Sequence, residues 1–356
     1  FKAGTLITEE MLSELQKNYG DARRTKVVAS GLKEFREEDL VPQEEAVITA
    51  SQAGYIKRLP PTAFRIQKRG GKGTIGLELK EEDFVSHFVS ANTHDNILFF
   101  TDRGRVFQTK VYEIPVGSRT SKGKLVQNFL EIPAGESINA ILAYRDGNEK
   151  DAESYIVMVT KNGLVKKTSL SDFKNVRRSG IIAITLKDDD RLRGVKLSSG
   201  KDEAILVSSL GIAIKFKETN IRAMGRTASG VRGIRLGKGD SLVSLDIIQA
   251  SVKSQASGSK LLVVMSNGFG KQTNLKEYKT QSRGGKGIKT AKVTAKTGEI
   301  ISARIVNEEE ELIALSTKGQ VIRTNLKDVR TAGRATQGVK IMNVEKGDKL
   351  IGIACL

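Results

Sequence analysis

The sequence predicts an all-β protein, a six-bladed, propeller-like ring of four-stranded blades with a short N-terminal helix. Three observations predict this fold: a hairpin-like unit recurs six times, each unit of about 50 residues holds about four short strands, and helical periodicity is scarce. Repeats of this length and content are typical of propeller blades. A single blade cannot bury both faces of its sheet, whereas six packed around an axis can. A linear β-solenoid is the structural alternative, although its repeats are usually shorter.

Each unit opens with a short apolar run that ends at a turn glycine. Runs of this kind broken by NG, RG or KG are typical of β-hairpins, because such turns need a positive φ. In five of the six units a Ser or Thr stands three residues before the glycine. The turn glycines of the first to the sixth unit are Gly54, Gly104, Gly163, Gly211, Gly268 and Gly319.

A second glycine follows the turn glycine by 17 or 19 residues in every unit and precedes a further strand. An arginine stands four residues before it in five units, which gives these arginines equivalent places in the ring. The second glycines are Gly73, Gly123, Gly180, Gly230, Gly287 and Gly338. The predicted blades are residues 46–95, 96–150, 155–200, 203–250, 260–307 and 311–356.

The chain divides into two predicted domains. Residues 41–356 form the ring, and residues 1–40 form a helical region and linker. A helix is predicted over residues 7–19, with Thr8 as its N-cap and Gly20 as its end. Its apolar face is expected to dock on a missing domain, and it consists of Ile7, Met11, Leu12 and Leu15.

Positive charge is concentrated in the predicted ring. The 356-residue chain has a formal net charge of +18, with −3 in residues 1–45 and +21 in residues 46–356. A domain this basic predicts a polyanionic partner, nucleic acid before a membrane surface. Six segments around the second glycines contain 22 Lys and Arg and no acid. We call them the first to sixth rim loops: residues 65–73, 117–124, 174–178, 222–235, 279–292 and 330–340.

The rim loops predict a basic belt that holds duplex DNA without reading its sequence. Lys and Arg neutralise phosphates and release condensed counterions, and glycine-rich backbone lets phosphates approach closely. The loops contain no aromatic residue to stack unpaired bases, which favours duplex over single strands. The predicted contacts on this rim are Arg65, Arg119, Lys122, Lys124, Arg177, Arg178, Arg222, Arg226, Arg232, Arg283, Lys286, Lys289, Arg334 and Lys340.

One rim loop carries a family resemblance. Residues 67–73, QKRGGKG, resemble the Q-R-R-G-G-K-G box of the gyrase A-subunit family of type II topoisomerases, and only Lys68 departs from it. Residues 37–60 are similar to the entry into the first blade of that family's C-terminal domain, and residues 17–27 to the end of its breakage–reunion region. A second box-like segment, QSRGGKG at 281–287, leaves open which loop dominates.

The resemblance implies a six-bladed β-pinwheel that exchanges strands between neighbouring blades and wraps duplex DNA around its rim with positive handedness. It implies partnership with the missing N-terminal region and with a B subunit, in a complex of two A and two B subunits that converts the wrap into negative supercoils. The resemblance also assigns the securing of the wrap to the box residues Gln67, Lys68, Arg69, Gly70, Gly71, Lys72 and Gly73.

No catalytic residue, metal or cofactor is expected in this chain; ATP and magnesium are expected in the B subunit. The sequence has no Walker A motif, and none of its six tyrosines lies in a motif like the family's cleavage site. A single Cys and two His exclude a disulfide framework and argue against a zinc enzyme. Without a signal peptide or an apolar run of about 20 residues, a cytoplasmic, nucleoid-associated protein is expected.

Two alternatives stay open. The first is the C-terminal domain of the topoisomerase IV A subunit, in which the first-blade box is typically degenerate or lost. The second is a basic propeller that serves as an interaction scaffold for an acidic partner. A scaffold has no need for acid-free basic loops in all six blades, which favours DNA.

Overall fold

The computed structural model describes ten stretches of the chain, and statements about absent features below refer to them. They are residues 7–20, 40–60, 85–118, 121–145, 154–187, 189–250, 258–306, 311–318, 320–345 and 347–355. The predicted box at 67–73 lies outside the described residues, as do Arg65, Arg119 and Gly319.

The first of two compact units, Phe1–Val41, contains helix α1 (Glu9–Tyr19). The Thr8 hydroxyl accepts a hydrogen bond from the Met11 amide at 3.4 Å, so Thr8 is the predicted N-cap. Gly20 ends the helix at a φ of −71°, without the left-handed conformation common for a terminal glycine. The residues of the predicted apolar face are exposed: Ile7, Met11, Leu12 and Leu15.

The second unit, Pro42–Leu356, is built from small sheets. Its strands within the described ranges are β1 (Glu45–Ser51), β2 (Tyr55–Leu59), β3 (Val85–Asn92), β4 (Asn96–Thr101), β5 (Arg105–Lys110), β6 (Lys124–Leu125), β7 (Ile138–Tyr144), β8 (Tyr155–Thr160), β9 (Leu164–Ser169), β10 (Ile181–Ile182), β11 (Leu192–Ser198), β12 (Glu203–Ser208), β13 (Ile212–Lys217), β14 (Val231–Arg232), β15 (Leu242–Ile248), β16 (Lys260–Met265), β17 (Phe269–Asn274), β18 (Thr280–Gln281), β19 (Ile288–Lys289), β20 (Ile300–Val306), β21 (Glu311–Ser316), β22 (Val321–Asn325), β23 (Val339–Lys340) and β24 (Leu350–Cys355). Short 3₁₀ helices follow several strands: Val111–Glu113, Val126–Asn128, Leu170–Phe173, Glu218–Asn220, Leu275–Glu277 and Leu326–Asp328.

Each of the first five sheets is completed by a strand from the next unit. The third sheet has the order β11-β8-β9-β14: the first three strands belong to the third unit, and β14 belongs to the fourth. Val231 of β14 pairs with Val165 of β9 in antiparallel register. Strands β6, β10, β19 and β23 pair in the same way with the hairpin of the preceding unit. The six-bladed all-β fold is confirmed, and so is the strand exchange that the family resemblance implies.

The last strand of each unit lies at the inner edge of its sheet. These inner strands pack side by side in the order β3, β7, β11, β15, β20 and β24, and β24 packs against β3. The sixth blade therefore closes against the first. The exchanged strands lie at the opposite, outer edge of each sheet.

The hairpin strands are buried on both faces. In β4, Ile97 and Phe99 belong to the core between the first and second blades, while Leu98 and Phe100 belong to the core between the second and third. This double burial explains why the sequence shows unbroken apolar runs instead of the alternation of a half-exposed strand.

The turn glycines and the preceding Ser or Thr fix the hairpins and the exchanged strands. The Thr101 hydroxyl accepts a hydrogen bond from the Arg105 amide at 3.2 Å. The Gly104 carbonyl accepts hydrogen bonds from the amides of Ala183 (2.8 Å) and Ile184 (3.1 Å), which follow the strand exchanged from the third unit. Gly104 has a φ of +81°, and a Cβ there would lie 2.6 Å from the Ile184 carbonyl oxygen. The junction between blades therefore requires glycine at this position.

Candidate nucleic-acid interface

The described rim loops lie along the outer edge of the preceding sheet. In the fourth rim loop, Ala223 pairs in parallel with Lys167 of β9, the chain turns between Gly225 and Ala228, and it returns antiparallel as β14. The second and sixth rim loops start in the same way, since Val116, just before the second loop, and Thr331 of the sixth each form a parallel bridge to the preceding hairpin. The second, fourth and sixth rim loops therefore pass along the outer edge of the preceding sheet in the same way.

Most of the predicted contact residues in the described part of the chain are exposed to solvent. The exposed ones are Lys122, Lys124, Arg177, Arg178, Arg222, Arg232, Lys286, Lys289 and Lys340. Three arginines are less exposed, with their side chains half-buried: Arg226, Arg283 and Arg334. The exposed set can approach phosphate directly, whereas the side chains of Arg283 and Arg334 also donate hydrogen bonds to neighbouring units.

Arg283 ties the fifth rim loop to the fourth unit. Its Nη1 donates to the carbonyl oxygen of Arg232 at 2.9 Å, and its Nε donates to that of Asn220 at 3.1 Å. The backbones also meet, because the Gly284 amide donates to the Gly233 carbonyl at 2.7 Å. The box-like segment 281–287 is thus anchored on its neighbour.

Arg334 repeats this arrangement at the next junction. Its Nη1 donates to the Lys289 carbonyl at 3.3 Å, and its Nε lies 3.9 Å from the Glu277 carboxylate. The Lys292 amide donates to the Thr336 carbonyl at 3.0 Å. The fourth, fifth and sixth rim loops therefore form a continuous hydrogen-bonded band across three blades.

Sequence analysis missed three lysines that lie beneath the rim loops. Lys57, Lys166 and Lys271 are buried, each three residues after its turn glycine. The equivalent residues of the second and fourth units are Phe107 and Ile214, which are also buried. The sequence does indicate these buried lysines, because each stands at a position that is apolar in neighbouring repeats.

The described part of the chain holds neither a cluster of metal-ligating side chains nor a membrane-spanning helix. No cluster of three or more His, Cys, Asp or Glu that could hold a metal is found in these ranges. None of the helices within them has the length and apolar character needed to cross a membrane. The expectation that the chain carries no cofactor stays a prediction.

A comparison with known protein families shows the family to which the chain belongs. The family model described as the DNA gyrase C-terminal domain, a β-propeller, matches once in each unit. The matched residues are 45–92, 95–143, 154–199, 202–249, 260–307 and 310–356. The chain therefore belongs to the family of β-propeller C-terminal domains of DNA gyrase.

Curated relatives agree with this assignment. The chain is 41% identical over 348 residues to the DNA gyrase A subunit of Staphylococcus epidermidis, a match that covers 98% of the chain and 38% of that protein. The corresponding protein of Staphylococcus aureus is 41% identical over 338 residues, covering 95% of the chain and 37% of that protein. The chain thus spans less than two fifths of the length of these relatives.

Two solved structures share the fold. The C-terminal domain of DNA topoisomerase IV superposes with a TM-score of 0.73 at 25% identity, covering 89% of this chain and 94% of that one. The DNA gyrase A C-terminal domain superposes with a TM-score of 0.70 at 25% identity, covering 88% and 100%.

Proposed function

We propose that this chain binds duplex DNA without sequence preference on its basic belt, and bends and wraps the duplex around the ring. The observation that carries the proposal is the acid-free basic loop at the outer edge of successive sheets. Bending 20–30 base pairs smoothly costs about 1–6 kcal/mol, so a wrap needs many phosphate contacts. Exposed lysines and arginines spread over neighbouring blades supply such contacts along a curved path.

The wrap is proposed to serve the intact gyrase. Two A subunits and two B subunits would use ATP, bound with magnesium in the B subunits, to pass a second duplex through the wrapped one. A wrap of positive handedness then yields negative supercoils. In this proposal the present chain shapes DNA and leaves cleavage to the N-terminal region of the A subunit. The enzyme would act on the nucleoid in the cytoplasm.

Affinity for duplex DNA is expected to fall steeply with salt and to depend little on sequence. Each phosphate contact contributes about −0.9 to the slope of log K against log salt concentration. With six or more contacts, affinity should drop at least about a thousandfold between 50 and 200 mM salt. The measurement is a fluorescence-anisotropy titration of two unrelated duplexes over this range.

A matched control for this titration is Lys201→Ala. Lys201 is exposed in the turn between β11 and β12, away from the outer edge of the sheet, so its loss should leave the slope unchanged. Arg232→Ala, on the outer strand β14, should lower the slope by about one. A flat salt response of the unmodified chain, or a strong preference for one duplex, would contradict the proposal.

Replacement of an anchoring arginine is expected to weaken DNA binding more than replacement of an exposed lysine in the same loop. Arg283→Ala should weaken DNA binding about tenfold, because it removes a charge and also the anchor to the Arg232 and Asn220 carbonyls. Lys286→Ala in the same loop should cost about threefold, since Lys286 is exposed and contributes charge alone. The test compares both Kd values at one salt concentration, and equal losses would mean that the anchor does not position the loop.

The topoisomerase IV alternative is supported by the structural likeness, which is as strong as the likeness to gyrase. The gyrase proposal is favoured by the 41% identical relatives and by the box-like sequence at 67–73. The scaffold alternative predicts tight binding to an acidic protein with weak binding to DNA. The salt titration above therefore also separates the scaffold from the DNA-wrapping proposal.

A further inference from the structure

The first, third and fifth units have a buried lysine where the second and fourth have an apolar side chain. The three lysines are Lys57, Lys166 and Lys271, and each is at most 2% exposed. Phe107 and Ile214 hold the equivalent places in the second and fourth units. Because the apolar residues fill this position in the same fold, packing alone does not explain an ammonium group there.

The ammonium group of Lys271 holds the sixth rim loop from beneath. It donates to the carbonyl oxygens of Gly333 (2.7 Å) and Arg334 (2.6 Å) and to the Thr336 hydroxyl (3.2 Å). These three acceptors match the three N–H donors of a lysine. Since peptide groups are planar, a carbonyl held toward the ammonium fixes the orientation of the amide beside it. The Arg334 amide accordingly donates outward, to the Glu277 carboxylate at 3.1 Å.

The other two lysines make the same kind of contact. Lys166 donates to the Ala183 carbonyl at 2.7 Å and to the Arg226 carbonyl in the fourth rim loop. Lys57 donates to the carbonyls of Ser118 and Ser121 in the second rim loop, at 3.0 and 2.7 Å. In each case the lysine binds backbone of the loop that crosses the outer edge of its own sheet.

The residue beneath a rim loop and the sequence of that loop differ together. The lysine-supported second, fourth and sixth rim loops contain an Arg followed by Thr or Ala: Arg119-Thr120, Arg226-Thr227 and Arg334-Ala335. The fifth rim loop, with the box-like RGGKG, lies over Ile214 instead, whose Cδ1 is 3.5 Å from the Cβ position of Gly285. The second, fourth and sixth rim loops therefore differ from the fifth both in sequence and in the residue beneath them.

We propose that Lys57, Lys166 and Lys271 are positioning residues for DNA binding: each holds one arginine-containing rim loop in the backbone conformation that presents its basic side chains to phosphate. This proposal rests on the proposed DNA-binding function. The lysines themselves do not touch DNA, because they are covered by the loops that they hold. Their effect on DNA is carried by the neighbouring arginines and exposed lysines.

Two of these lysines have a pKa below that of an ordinary lysine. Burial lowers the pKa of both Lys166 and Lys271 to about 8, below the usual value for lysine. For Lys166, the Asp172 carboxylate raises the pKa and Arg226 lowers it. For Lys271, the Glu277 carboxylate raises the pKa and Arg334 lowers it. Both lysines are charged in the folded chain below pH 8 and lose that charge above it, whereas an unperturbed lysine side chain has a pKa of about 10.4.

The test compares Lys271→Met with Lys340→Met, which removes an exposed lysine from the same rim loop. Lys340→Met should weaken binding about threefold and reduce the salt slope by about one, as expected for one phosphate contact. Lys271→Met should weaken binding about tenfold and reduce the slope by about two, because several side chains of the loop are displaced together. Hydrogen exchange at residues 333–338 should accelerate only in Lys271→Met.

Thermal stability and DNA affinity together separate positioning from a purely structural role. Lys271→Met removes the donor to the Gly333 and Arg334 carbonyls, so a lower Tm is expected in either case, and only the positioning role also predicts weaker DNA binding. A lower Tm with unchanged DNA affinity and salt slope would overturn the proposal and make the lysine a structural residue. A flat salt response of the unmodified chain would instead refute DNA binding itself.

A pH series on the unmodified chain keeps the proposal testable if a variant does not fold. DNA affinity at constant salt should fall between pH 7 and 9.5, since uncharged amines form weaker hydrogen bonds to the loop carbonyls. The double variant Lys166→Met, Lys271→Met should bind more weakly at pH 7 and show a smaller fall. An unmodified chain with equal affinity at both pH values would contradict the proposal.

Discussion

Replacement of residues 67–73 by alanines is expected to abolish negative supercoiling by the complete gyrase while leaving DNA binding measurable. Lys68, Arg69 and Lys72 are three of the 22 Lys and Arg in the rim loops, so most counterion release should persist without them. A wrap, however, needs both ends of the duplex path held, and the first blade lies where β24 packs against β3 and the ring closes. The measurement is supercoiling of relaxed plasmid by the B subunit together with an A subunit that includes its N-terminal region.

Relaxation and decatenation by the same variant are the internal control, because the proposal assigns the wrap to supercoiling and not to strand passage itself. The matched replacement at 281–287 tests the second box-like segment. That loop is anchored to its neighbour through Arg283, so its loss should weaken DNA binding more than loss of 67–73. Supercoiling at the normal rate without 67–73 would mean that this segment is a solvated turn, or that 281–287 takes its place.

Gly268→Ala is expected to destabilise the fold by about 3 kcal/mol or more, the sum of backbone strain and a steric clash. Gly268 has a φ of +82°, which costs a residue with a Cβ roughly 1–2 kcal/mol. The added Cβ would also lie 2.2 Å from the Met342 carbonyl oxygen of the sixth unit, so the exchanged segment must move. That displacement disrupts the hydrogen bonds from the Ile341 and Met342 amides to the Gly268 carbonyl. Urea unfolding of the variant and the unmodified chain measures the difference.

Gly239→Ala is the matched control for this substitution. Gly239 has a similar φ of +75° but no atom within 4 Å of its Cβ position. Its replacement should cost only the backbone strain, roughly 1–2 kcal/mol. Equal losses at the two glycines would show that the turn glycine does not lock the neighbouring blade.

The repeating parts of the fold were predictable because they depend on local chemistry. The turn requires a residue that tolerates a positive φ, and a hydroxyl three residues earlier accepts a hydrogen bond from the turn. Residues such as Thr101 and Gly104 therefore recur at a fixed spacing in the sequence. Burial on both faces leaves unbroken apolar runs such as that of β4. The position of the rim loops at one edge of each sheet also follows from the repeat, because equivalent segments occupy equivalent places.

The connections between units were not predictable from the residues alone. The exchanged strand β14 pairs through only Val231 and Arg232, which is too short to show any periodicity, and only the family resemblance implied the exchange. The anchoring role of Arg283 depends on carbonyl groups, which leave no trace in a sequence. Lys166 was missed because a lysine in a strand is normally exposed, whereas here the carbonyls of Ala183 and of Arg226 in the overlying loop accept its hydrogen bonds.

Chiral wrapping is tested most directly by DNA topology. The chain is added in increasing amounts to nicked plasmid, the nick is sealed by ligase, the protein is removed, and the linking number is read from two-dimensional gels. A wrap of positive handedness predicts a positive change in linking number that grows with the ratio of protein to DNA. An unchanged or negative linking number under conditions where the chain is bound would contradict the wrapping proposal.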